Sequence, residues 1–113
     1  MFTETQVPKI VAEAREAAYQ AAMKFFKEKL GGQDQFACGF AWVDIIGVRS
    51  NSKLGKAILA EKCFRKSYTR SLQMWNPSSM MVQNVDTLEA GAEAAAEVFR
   101  KYGFEAYAGS RLD

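Results

Sequence analysis

Apolar positions along the chain fall into helical and strand-like patterns in alternation. The longest near-continuous apolar run, Phe36-Ala-Cys-Gly-Phe-Ala-Trp-Val-Asp-Ile-Ile46, organises the rest. In a strand successive side chains point to opposite faces. One face then carries Phe36, Cys38, Phe40, Trp42, Asp44 and Ile46, and the other Ala37, Gly39, Ala41, Val43 and Ile45. Both faces are apolar, so the run predicts a strand covered on both sides, the large face filling a core and the small face admitting a helix backbone. A buried helical segment is the competing reading. Gly39, the aromatic residues and the terminal Val-Asp-Ile-Ile favour the strand.

Before this run, Ile10, Ala14, Ala17, Ala21 and Phe25 recur at helical spacing, and Val11, Ala18, Ala22 and Phe26 widen the stripe. A long amphipathic helix over about 8–30 is predicted. Pro8 suits its first turn and Gly31-Gly32 its end. It packs on its own sheet or forms a dimer contact. After the run, a loop at 47–52 leads into a short helix reaching about Cys63, with Ser50, Asn51 and Ser52 as candidate caps. Residues 67–75 alternate as a half-exposed strand that Asn76-Pro77 stops. Asp86-Thr-Leu-Glu89 has the form of a capping box opening a helix through Tyr102, with Gly103 beyond it. Phe104–Ala108 reads as a short strand and 109–113 as a tail that is frayed or reaches across a pocket or onto a second subunit.

The expected fold is therefore α+β, a small three-stranded mixed sheet with packed helices in the order α-β-α-β-α-β. One domain spans 1–113, a long N-terminal helix followed by a β/α core over about 36–109. The open edges of so small a sheet motivate a homodimer.

With 113 residues, 49% apolar and 25% charged, the composition is that of an ordinary globular domain. No apolar run reaches the roughly 18 residues of a membrane span, and residues 1–30 lack the pattern of a signal peptide. A cytoplasmic protein with no membrane partner is expected, in which Cys38 and Cys63 are small core residues. The net charge of +2 says less than its distribution. Residues 49–75 hold seven basic residues against one acid, and 86–113 hold six acids against three bases. Such asymmetry makes a local positive field that draws in anions, or a charged face beside a complementary neighbour.

Candidate chemistry is limited. Without histidine the commonest general base and metal ligand is absent. The two cysteines lack zinc spacing and no carboxylate pair sits in a motif. Neither metal nor cofactor is expected, and an enzyme is the least favoured class. Gly47 and Gly55-Lys56 invite comparison with a phosphate-binding loop, but the spacing is wrong and Ala57 stands where a hydroxyl residue belongs. What remains is a helix start bearing Asn51 and Ser52 and flanked by Arg49, Lys53 and Lys56, a candidate anion site. Trp75, followed by Asn76, Gln83 and Asn84, offers a stacking face and amide hydrogen bonds. Asp44 is expected to pair with Arg49 or Arg70.

The segments Gly39-Phe-Ala-Trp-Val-Asp44, Arg49-Ser-Asn-Ser-Lys-Leu-Gly-Lys56, Trp75-Asn-Pro-Ser78, Gln83-Asn-Val-Asp86, Glu89-Ala-Gly-Ala92 and Gly109-Ser-Arg-Leu-Asp113 together resemble small proteins encoded in tailed-phage genomes. The resemblance covers most of the chain from residue 36 onward and carries no catalytic residue. It implies expression in a bacterial host's cytoplasm and a role in blunting host defence, by binding a nucleotide signal or a host protein. The expected function is non-enzymatic binding of a small anionic, nucleotide-like ligand. Arg49, Lys53, Lys56 and Arg70 would neutralise phosphate and Trp75 would stack. Asn76, Gln83 and Asn84 would read polar edges and Arg111 would close the pocket. The rival readings are a protein–protein module that inhibits a host protein and, less favoured, a weak nucleic-acid binder on the same basic patch.

Overall fold

The alanine-rich ridge predicted at the N-terminus is a helix, α1, over Val7–Leu30, preceded by a single 3-10 turn at Glu4–Gln6. Pro8 lies in its first turn, and Gly31, in the left-handed region at φ 62°, ends it. The computed structural model describes residues 4–67, 69 and 71–112. Then follow β1 (Gly39–Ile46), α2 (Lys53–Leu59), β2 (Phe64–Lys66), β3 (Leu72–Trp75), α3 (Val85–Lys101) and β4 (Glu105–Leu112).

The strands form one four-stranded sheet in the order β2-β3-β1-β4, and every neighbouring pair is antiparallel. The expected α+β class is correct, but the three-stranded mixed sheet and the strict α-β alternation are not. The strand missed is β2. Its three residues are too few to show a period, and they follow directly on the helix expected to reach about Cys63. Phe64 is nevertheless buried, edge-on to Phe99 at 5.9 Å, and Arg65 and Lys66 pair with Gln73 and Leu72. From β1 onward the element order is β-α-β-β-α-β, the split βαβ or ferredoxin-like arrangement, with α1 added in front.

All three helices serve one face of the sheet. Ala41, Val43 and Ile45 of β1 are buried with Leu72 and Met74 of β3 and with Ala92, Ala95, Ala96 and Phe99 of α3. Small side chains let α1 and α3 approach closely: a Cβ added at Gly91 would lie 3.1 Å from the Ala18 carbonyl oxygen. The small face of the first strand thus receives a helix, as expected. The large face does not fill a core. Phe40 and Ile46 are each 39% exposed and Trp42 and Asp44 are half-buried, because no helix lies on that side. Cys38 is likewise exposed, not a core residue, while Cys63 is half-buried; both are free thiols.

The segment between α1 and β1 is fastened to the segment before α3. The Asp34 carboxylate accepts the backbone N–H groups of Gln83 (2.8 Å) and Asn84 (2.9 Å). Asn84 is 1% exposed. It donates from Nδ2 to the Gln35 carbonyl (2.8 Å) and accepts at Oδ1 from the Thr87 N–H (2.8 Å) and hydroxyl (2.9 Å). Asn84 is thus the N-cap of α3; Asp86, the expected cap, sits exposed in the first turn. A second tie joins the far ends of α1 and α3. Glu13 accepts from Lys101 Nζ in an ion pair and from the Tyr102 hydroxyl at 2.6 Å.

Two outcomes follow from these ties. Asn84→Ala removes the cap and leaves buried partners unpaired, so it should cost about 2 kcal/mol. The urea midpoint should fall with the slope unchanged. Hydrogen bonds from Lys101 and then Tyr102 hold the Glu13 carboxyl below its ordinary value, while Lys101 and Tyr102 are both pushed up. The depressed acid contributes stability above about pH 4.5 and loses it as pH falls further. The raised phenol contributes below about pH 10 and loses it as pH rises. Glu13→Gln should therefore lower the melting temperature near neutral pH and flatten its acid limb, as read by thermal melts across pH.

Candidate functional site

Strand register decides which side chains share the uncovered face. Trp42 sits opposite Trp75 on β3 and Gly109 on β4, Asp44 opposite Gln73 and Tyr107, and Phe40 opposite Arg111. Directly opposed residues project to the same side, so these groups form one surface, joined from β2 by Arg65 opposite Gln73.

The rings on it overlap like shingles. Trp42 lies over Gly109, where an added Cβ would come within 2.6 Å of the indole. Trp75 leans on Trp42, with centroids 5.1 Å apart at 35°, and the Arg65 guanidinium lies 4.3 Å above the Trp75 ring. Phe40 meets Trp75 edge-on at 6.4 Å and carries the Arg111 guanidinium at 5.5 Å. Aromatic pairs of this kind contribute about 0.5–1.5 kcal/mol each beyond area burial, and exposed cation–ring contacts about 0.5–1 kcal/mol. The indole N–H groups are both satisfied: Trp42 donates to Asp44 (3.0 Å) and Trp75 to Gln73 (3.1 Å). Asp44 also accepts from Ser71 (2.9 Å), so neighbouring hydroxyl and indole donors meet this carboxylate, and among the described residues it makes no ion pair with Arg49.

At the Phe40 end the face runs into a groove of about 490 Å³ between β1, β3 and the loop before α3. Cys38, Phe40, Trp75, Asn76, Met81 and Gln83 are among its walls. Its volume falls in the ordinary range for small-ligand sites.

Of the residues expected to bind a ligand, Trp75, Asn76 and Gln83 meet in this groove, and Arg111 joins them through Phe40. Asn76 is partly committed: at φ 44° it turns the chain, donating from Nδ2 to the Met80 carbonyl (3.1 Å) and accepting from Ser78 (3.1 Å). Asn84 is not available to a ligand, since both its amide atoms are used inside the fold. Arg49 and Asn51 line a separate depression of about 600 Å³ with Gly47, Val48, Ser50 and Lys66. It lies at the opposite end of β1, roughly 20 Å from the groove at about 3.3 Å per residue. Ser52 caps α2 by accepting the Gly55 N–H (3.0 Å), and Lys53 and Lys56 are exposed on that seven-residue helix. Gly55, which suggested a phosphate loop, is small because the chain doubles back on it: a Cβ there would lie 2.0 Å from the Arg49 carbonyl oxygen. Arg70 lies outside the described residues. Arg49 and Asn51 therefore do not share a hollow with the indole ending β3, whereas Arg65, later in the same basic stretch, lies on that indole.

Sequence reasoning missed Arg65 and the exposed role of Phe40 and Trp42. A tryptophan on each of two segments and a glycine able to lie beneath one of them were the available signals. Among the described residues no cluster of three or more Cys, Asp or Glu side chains is placed to hold a metal, and no helix is long and apolar enough to cross a membrane. No family model, curated protein or solved structure matches the chain.

The shingled rings depend on Gly109. Gly109→Ala should push the Trp42 indole off the sheet and cost about 1–3 kcal/mol as an overpacking change. Near-UV circular dichroism should lose the signal of the coupled indoles, and the melting temperature should fall.

Proposed function

We propose that the uncovered sheet face and its groove bind a ligand of nucleotide chemistry, a planar base carrying phosphate, and that the protein works by holding it. One observation supports this reading above the others: on one accessible surface the adjacent rings of Trp75 and Phe40 are flanked by the guanidinium groups of Arg65 and Arg111, beside a groove of about 490 Å³. Four-stranded antiparallel sheets whose aromatic residues face solvent stack bases in this way, and arginine supplies bidentate contacts to phosphate. A base would enter the groove against Phe40 and the free edge of Trp75. Gln83, whose Oε1 takes the weak Cys38 thiol donor at 3.5 Å, keeps its amide N–H groups for the base edge. Arg111 flanks the groove from β4 and Arg65 the far side of Trp75, so phosphate can be met at either end. In a protein of the phage type that the sequence resembles, such a surface would keep a nucleotide signal out of solution.

One second reading has its own support. Met81 is 98% exposed, Phe36 72% and Leu112 67%, and all three belong to the end of the sheet where the groove opens. Exposed apolar groups gathered in one place suit a protein partner, which is the reading in which the chain inhibits a host protein.

The test is titration of the intrinsic tryptophan emission with mononucleotides, dinucleotides and single-stranded oligonucleotides of DNA and RNA. Saturable quenching is expected. Arg65→Ala and Arg111→Ala should each weaken binding about tenfold with little change in melting temperature, since a hydrogen bond to a charged group contributes about 1.5–3 kcal/mol. A steep loss of affinity with salt, only for the oligonucleotides, would identify a strand as the ligand; tight, weakly salt-dependent binding of a mononucleotide or dinucleotide would identify a free nucleotide. A folded protein that none of these quenches or stabilises at millimolar concentration would remove the proposal.

A further inference from the structure

β4 is the outermost strand on its side of the sheet, and its eight residues pair with β1 without a bulge. Its outer edge can be read from two hydrogen bonds. The Arg100 guanidinium donates to the Ala106 carbonyl at 2.6 Å, from α3, so this carbonyl points away from β1. The Ala41 carbonyl accepts from the Asn76 N–H at 3.0 Å on the β3 side, which leaves Phe40 and Trp42 to bond with Arg111 and Gly109. Backbone groups alternate in direction along an antiparallel strand. Ala106, Ala108 and Ser110 therefore direct their N–H and C=O groups outward.

An outer strand of this length is a template for another strand unless lysine, proline, a bulge or a covering element blunts it. Glu105-Ala-Tyr-Ala-Gly-Ser-Arg-Leu112 contains none of the first three. From α3 the Arg100 side chain bonds the Ala106 carbonyl and Glu89 takes the Ser110 hydroxyl; neither uses an outward N–H, and a carbonyl oxygen has a second lone pair to offer.

The strand is also complementary to itself. If it pairs antiparallel with a second copy about a two-fold axis at Ala108, Ala106 faces Ser110 of the other copy, and the outward backbone groups meet. On the open face, Glu105 then opposes Arg111 of the other copy, twice, and Tyr107 opposes Gly109. A shift of two residues either way loses both charge pairs. Opposite charges directly across a strand pair stabilise it, and like charges there oppose it. We infer that β4 is a homodimerisation edge and that two chains form one continuous eight-stranded sheet. Both aromatic faces would lie on the same side of it. The inference does not depend on which ligand, if any, those faces hold.

Sedimentation equilibrium of the full chain across one to a hundred micromolar tests it. The expected mass at the upper end is that of two chains. Arg111→Glu sets like charges opposite each other and should return the mass of one chain, without touching a core side chain. Glu105→Arg with Arg111→Glu in the same chain should restore the dimer. Ala108→Pro, which removes an outward N–H and no bond to β1, should abolish it; circular dichroism confirms that each variant is folded. A single-chain mass for the parent at every concentration would overturn the inference, as would a dimer that persists in both Arg111→Glu and Ala108→Pro.

Discussion

All three helices compete for the same side of a thin sheet, and that constraint shapes everything else in the molecule. Ala41, Val43 and Ile45 present a surface smooth enough for the alanines of α3 to settle on it, and α1 packs beside α3 in turn. Burial on that side supplies the dominant favourable term, at roughly 25 cal/mol for each Å² of apolar surface removed from water. Among the described residues no helix or strand covers the other side. The chain manages that exposure locally by laying its large side chains across one another and capping the row with arginines. A surface built this way is accessible, partly apolar and positively charged at its margins.

The parts of the fold that were legible in the sequence are those with enough residues to show a period and a clear stop. α1, with its proline start and glycine end, is one; α3 and the strand at 39–46 are others. β2 was not legible, because three residues have no period and Phe64 is held by a distant partner, Phe99. The cap of α3 was misplaced by two residues because Asp86-Thr-Leu-Glu89 fits the capping pattern locally. Asn84 prevails because Asp34 and Gln35, some fifty positions earlier, bond its backbone and side chain. Gly109 to Leu112, expected as tail, are strand because β1 offers partners as far as Gly39.

The site was legible only in part, for a related reason. Residue type picked out Trp75, Asn76, Gln83 and Arg111, whose chemistry is unusual wherever it falls. Pairing decided which of them meet. Antiparallel register brings Arg111 beside Phe40 and, through it, near Trp75, while the same strand carries Arg49 and Asn51 away to its far end. Charge clusters counted along a sequence mix residues from both ends of a strand, so a basic stretch in the chain need not be a basic patch in space.

The two thiols are set apart by this architecture. Burial pushes the Cys63 thiol up and leaves it half-covered, whereas Cys38 stands exposed at the rim of the groove. An electrophile added to the native chain would therefore be captured first at Cys38, beside Phe40 and Trp75. The molecule comes with a built-in attachment point for a dye or a tethered fragment at the mouth of the cleft, with no engineered residue required.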